Sequence, residues 1–136
     1  MAAVQSKPNI TGLTTVAVPV SNQDRAVEFY VGKLGFQKRM DVPLSGTDRW
    51  IEVAPADGST TIALVPPGEA FNTGTDTGIR LSTTSADADH TALQAAGVDV
   101  APEVMRWGGG VPPMFSLHDP DGNTLYIVEQ MESPRG

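Results

Sequence analysis

Phe115-Ser-Leu-His-Asp119-Pro-Asp-Gly-Asn123-Thr-Leu-Tyr-Ile-Val-Glu129 reads as a strand, a tight turn and a second strand. The segment Asp119-Pro120-Asp121-Gly122-Asn123 is dense turn chemistry. Pro fixes φ, Asp and Asn bond to nearby backbone, and Gly accepts φ > 0. Apolar, β-prone residues flank it on both sides, so a hairpin closes the chain.

Working outward from that hairpin, the elements repeat. Strands are expected at Thr11–Val20, Phe36–Val42, Trp50–Ala54 and Thr60–Val65, with a helix at Asn22–Leu34. After the Pro- and Gly-rich linker Pro66–Thr75, strands are expected at Thr77–Thr83, Val98–Val104, Met114–His118 and Thr124–Val128. A helix is expected at Asp87–Ala96. This is strand-helix-strand-strand-strand, twice. Each helix ends on a glycine suited to a left-handed cap, Gly35 and Gly97, 62 residues apart. Asn22 and Ser85 are the matching N-caps, with Asp24, Asp87 and Asp89 near the positive helix ends.

The 136 residues fit one domain, 1–136, made of module one (about 11–66) and module two (about 76–131). Nine Lys plus Arg against 16 Asp plus Glu give a formal charge of −7, which argues against nucleic acid or an anionic membrane as partner. There is no cysteine, so disulfides, thiolate zinc sites and a cysteine nucleophile are excluded, and a cytoplasmic protein is expected. Met1–Asn9 carries no apolar core of a secretory signal, and no segment reaches the length of a membrane span.

Val18-Pro-Val20, Asp24-Arg-Ala-Val-Glu-Phe-Tyr30, Leu34-Gly-Phe36 and the closing Asp-Pro-Asp-Gly-Asn, in this order, resemble the vicinal oxygen chelate superfamily. That group includes glyoxalase I, extradiol dioxygenases, fosfomycin-modifying enzymes and bleomycin-binding resistance proteins. The resemblance implies an α+β fold: two βαβββ modules whose curved mixed sheets form a cleft, with helices on the outer faces. It also implies a metal held by one residue from each of four strands, the last a glutamate four residues after the turn glycine. Here those positions fall on Thr15, Ala63, Gly78 and Tyr126. A hydroxyl, a phenol and two groups without donors do not make a cation site. The expectation is therefore no metal and no cofactor. A displaced site from Glu52, His118 and Glu129 is the alternative, although Glu129 has the wrong strand parity. His90 is expected to be a solvated helix residue.

Strand alternation sorts side chains between a helix-facing and a cleft-facing side. Val16, Val18, Val20, Ile51, Val53, Ile62, Leu64, Ile79, Leu81, Phe115, Leu117, Leu125 and Ile127 take the helix side. That leaves Thr15, Trp50, Glu52, Thr61, Arg80, Met114, Ser116, His118 and Tyr126 as candidate ligand-binding residues. Trp107 joins them from the loop Met105-Arg-Trp-Gly-Gly-Gly110, either as a lid at the cleft mouth or as a side chain folded onto the core. The loop lacks the spacing and the following helix of a phosphate-binding loop. Arg80 and Glu52 are the inward charges. They pair across the modules, or Arg80 holds a ligand carboxylate or enolate oxygen and Glu52 a ligand cation or proton.

Three functions follow. The first is a metal-free small-molecule binding protein of the antibiotic-sequestering type, taking an aromatic or cationic ligand. The second is a lyase, isomerase or dioxygenase-like enzyme using Glu52, Arg80, His118 or Tyr126, or a rearranged metal. The third is a scaffold with a vestigial cleft. No catalytic residue is assigned. A homodimer is expected, since members of this size commonly pair with clefts at or near the shared interface, and exposed strand edges need cover.

Overall fold

The strand-helix-strand pattern is realised twice in the computed structural model, which describes residues 7–130. The order is β1 (Thr15–Pro19), α1 (Gln23–Val27), β2 (Gln37–Pro43), β3 (Arg49–Ala54), β4 (Thr61–Val65), β5 (Asp76–Thr83), α2 (Ala86–Ala95), β6 (Asp99–Val100), β7 (Met114–His118) and β8 (Thr124–Glu129). They build two four-stranded mixed sheets, β1-β4-β3-β2 and β5-β8-β7-β6. In each, the first strand pairs parallel with the last and the others run antiparallel. The fold is thus α+β with two modules of like topology. Among the described residues, no helix is long and apolar enough to cross a membrane.

Local chemistry sets the helix limits. The Asn22 side chain accepts from the Arg25 N–H at 2.9 Å, and the Ser85 hydroxyl accepts from the Ala88 N–H at 3.1 Å. After α1 the chain widens into a looser coil, Glu28–Lys33. Its closing bond runs from the Leu34 N–H to the Phe29 carbonyl, five residues back. Gly35 and Gly97 then turn at φ 79° and 84°, where only glycine is unstrained.

Helix-facing residues of both sheets merge into one buried cluster. Val18, Val20, Ile51, Val53 and Leu64 meet Phe115, Leu117, Leu125 and Ile127 around Phe29, Tyr30, Phe36 and Leu93. Full burial of each large apolar side chain contributes about 1.5–3 kcal/mol. Ile79 and Leu81 are only half-buried, because β5 is an edge strand.

The closing turn does more than reverse the chain. Asn123 is fully buried, with Nδ2 donating to the Pro19 carbonyl at 2.7 Å and to Asp119 at 2.9 Å. Its Oδ1 accepts from the Gly74 and Thr75 N–H groups at 2.9 and 3.1 Å. Asp119 also accepts from the buried Tyr30 hydroxyl at 2.9 Å. Burial, then the Asp119 charge and hydrogen bond, push the Tyr30 phenol far above its ordinary range. One turn of module two thereby fastens β1, the first helical segment and the linker.

Two expected elements come out shorter. β1 starts at Thr15 rather than Thr11, because its partner β4 begins only at Thr61. The strand expected at Val98–Val104 contracts to Asp99–Val100. The Ala101 N–H still reaches the Ser116 carbonyl at 2.9 Å, but Pro102 has no N–H to continue the ladder.

Candidate functional site

The ten residues expected to face inward form two groups, one on each sheet, with Trp107 apart on its loop. On the first sheet, register sets Thr15 beside Thr61 and Glu52 beside Ala63. Trp50 and Glu52 are half-buried, while Ile51 and Val53 between them are fully buried. The Glu52 carboxylate accepts from Trp50 Nε1–H at 2.7 Å and from the Thr61 hydroxyl at 2.8 Å. The Thr15 hydroxyl donates to the Thr61 carbonyl at 3.2 Å. The indole is thus fixed by the carboxylate two residues further along the same face.

On the second sheet, Tyr126 lies between Arg80 and Ser116 in register, and Met114 opposes Val128. The Tyr126 hydroxyl donates to Asp76 at 2.7 Å, and the Arg80 guanidinium sits 4.6 Å from the Tyr126 ring centroid. His118, at the exposed end of β7, places Nδ1 2.9 Å from the Asp99 carboxylate. Among the described residues no hydrogen bond or ion pair joins the two groups. The expected Arg80–Glu52 pair is absent, since Glu52 is occupied by Trp50 and Thr61, and Arg80 by Tyr126 and the Gly78 carbonyl.

Trp107 is 58 % exposed, so it is not folded onto the core. Its loop is anchored at both flanks. Met105 bridges Met114 in the sheet, and Arg106 pairs with Asp87 at the start of α2. Between them Gly108, Gly109 and Gly110 all have positive φ, a path closed to other residues without strain.

Several contributors were not legible as such. Asp76 aligns Tyr126, but it stands at the edge of a Gly- and Thr-rich linker. Its strand parity with Gly78 and Arg80 was the available signal. Met40 and Val42 oppose Glu52 and Trp50, so they share the inward face. A register shift between Lys38 and Met40 hides the parity of β2. His90, expected in solvent, instead stacks edge-on against Phe115 at 5.0 Å and bonds the Ala101 carbonyl through Nε2. It fastens α2 to the strand layer.

A hollow of about 780 Å³ opens between the modules beside β5. Val16, Ile62, Ile79 and Leu81 give it apolar walls; of the ten inward residues only Thr61 and Arg80 border it.

The Glyoxalase/Bleomycin resistance protein/Dioxygenase superfamily matches residues 12–127, nearly the whole chain. This chain belongs to that superfamily. It is similar to the crystal structure of TnmS3, an antibiotic binding protein from Streptomyces sp. CB03234, with 31% identity, a TM-score of 0.79, and coverage of 92% of this chain and 100% of that one. A superfamily member from Sphaerobacter thermophilus DSM 20745 is 35% identical with a TM-score of 0.79, covering 89% of this chain and 98% of that one. The Bacillus subtilis protein YurT is 30% identical over 129 residues, 87% of this chain and 98% of the relative.

The metal that the resemblance implies does not fit these residues. Ala63 and Gly78 offer no side-chain donor, and the Tyr126 hydroxyl is committed to Asp76. Glu52, His118 and Glu129 do not converge either. Glu129 caps α2 by accepting from the Ala86 N–H at 3.1 Å, and His118 turns to Asp99. Among the described residues no group of three His, Cys, Asp or Glu could hold an ion.

The Tyr126–Asp76 hydrogen bond sets the direction in which both groups titrate. It raises the Tyr126 pKa, and the same bond, followed by the Gly78 N–H, lowers that of Asp76. A raised Tyr126 favours the folded state below the ordinary tyrosine value of about 10 and loses that benefit as pH climbs through the folded value. A lowered Asp76 favours it above the ordinary carboxylate value of about 4 and loses the benefit as pH falls. Spectrophotometric titration at 295 nm should therefore show one tyrosine in Asp76→Asn ionising at lower pH than in wild type. An unchanged titration curve would contradict the bond.

Proposed function

We propose that this chain is a metal-free small-molecule binding protein that sequesters an aromatic ligand, and that it works as a cytoplasmic homodimer. The observation that carries this is the inward face of the first sheet. A half-exposed indole is pinned there by a carboxylate, where a core role would place Trp50 opposite, with Ile51 and Val53. A pinned aromatic offers stacking area at little entropic cost. The likeness to TnmS3, described as an antibiotic binding protein, supports the same reading.

Dimerisation follows from what each chain leaves uncovered. Met40 and Val42, 43 % and 44 % exposed, lie beside Glu52 and Trp50 on the first sheet. Met105, Trp107 and Val111 are exposed beside the second. In this proposal the second sheet and Trp107 loop of one copy face the first sheet of the other. Each cleft then takes Trp50 and Glu52 from one chain and Arg80 and Tyr126 from its partner. Trp107 closes the mouth. Light scattering at micromolar concentration should give the mass of two chains. Met40→Asp should give one chain and abolish ligand binding together with assembly. A monomeric wild type that binds ligand at full affinity would overturn the shared cleft.

A further inference from the structure

The charge of the ligand can be read from how the two inward charges are occupied; this inference rests on the binding reading above. We propose that the site selects a planar aromatic anion, whose ring stacks on the open face of the Arg80 guanidinium and whose carboxylate or enolate oxygen accepts from its edge.

Arg80 is an exposed cation set on a prepared platform. Its guanidinium lies over the Tyr126 ring, and Nη1 donates to the Gly78 carbonyl at 2.8 Å. Those two contacts hold it against the ring. Among the described residues Arg80 makes no ion pair, and one of its five N–H groups accounts for the hydrogen bond. Asp76, an anion on the same strand, is turned elsewhere: its oxygens accept from the Tyr126 hydroxyl at 2.7 Å and the Gly78 N–H at 3.0 Å. A guanidinium plane stacks on aromatic rings and its edge matches a carboxylate. The order Tyr126, Arg80, ligand ring uses both faces of one cation.

The competing choice, a cation on Glu52, meets a carboxylate already in use. Its two oxygens accept from Trp50 and Thr61 inside its own sheet. The net charge of −7 does not reverse this, because ionic screening limits exposed charges to about 8 Å at 0.15 M salt. Contact chemistry decides.

Three probes built on the same naphthalene ring test the assignment: 2-naphthoate, 2-naphthamide and 2-naphthylmethylammonium, titrated by calorimetry into the full-length protein. Wild type should bind the carboxylate about tenfold to a hundredfold tighter than the other two. Arg80→Gln should erase that preference and weaken the amide only by the lost stacking, about two- to tenfold. Arg80→Lys should keep part of the charge preference and lose affinity for all three rings. The assignment is overturned if the ammonium binds as well as the carboxylate, or if Arg80→Gln keeps the preference. Ammonium-only binding with Trp50-dependent affinity would overturn the charge assignment while leaving the binding function standing. Binding of none of the three overturns both.

Discussion

Asn123→Ala should cost about 3–5 kcal/mol of folding free energy, the largest loss expected of any single polar substitution here. The truncation leaves the Pro19 carbonyl and the Gly74 and Thr75 N–H groups without their partner, each in or beside the buried joint between the modules. A buried group left unpaired costs about 1–3 kcal/mol, and three such groups in one network do not add fully. Asp24→Ala is the control. Its carboxylate is 81 % exposed and pairs with Arg49 at 2.7 Å, and such surface pairs contribute at most about 1 kcal/mol. Urea unfolding of both variants decides the matter. Equal, small losses would mean that the turn is merely a hairpin and not the joint.

Trp50→Ala should weaken ligand binding roughly 30- to 150-fold. A tryptophan carries about 150–250 Å² of surface, and burying half of it against a ligand at about 25 cal/mol/Å² is worth about 2–3 kcal/mol. Trp50→Phe should lose less, because stacking survives while the hydrogen bond to Glu52 is lost. The measurement is calorimetric titration of an aromatic metabolite panel against wild type and both variants. Unfolding midpoints guard against a folding defect. If Trp50→Ala binds every ligand as tightly as wild type, the first sheet is not a wall of the site.

Period-two alternation carried most of the fold. It separated Ile51 and Val53, which are fully buried, from Trp50 and Glu52 on the same strand, and likewise Leu125 and Ile127 from Tyr126. The turn chemistry of Asp119–Asn123 was equally legible, because it is local. What that turn binds was not. Tyr30 lies 89 residues from Asp119, and Pro19 lies 104 from Asn123. No local pattern encodes such partners. Parity fails in a similar way for the site. It says which face a side chain takes, but not which face of another sheet lies opposite. The absent Arg80–Glu52 pair is the consequence. The β2 bulge hid Met40 and Val42, and a linker-like composition hid Asp76.

The most direct test of the shared, metal-free aromatic cleft is a crystal structure of chelator-treated protein bound to the tightest ligand of the panel. The account expects a ring between Trp50 of one chain and the Arg80–Tyr126 pair of a second, with no ion at Glu52, His118 or Tyr126. A ligand seated wholly within one chain, in the hollow between Ile62 and Ile79, or held through a metal, would contradict it.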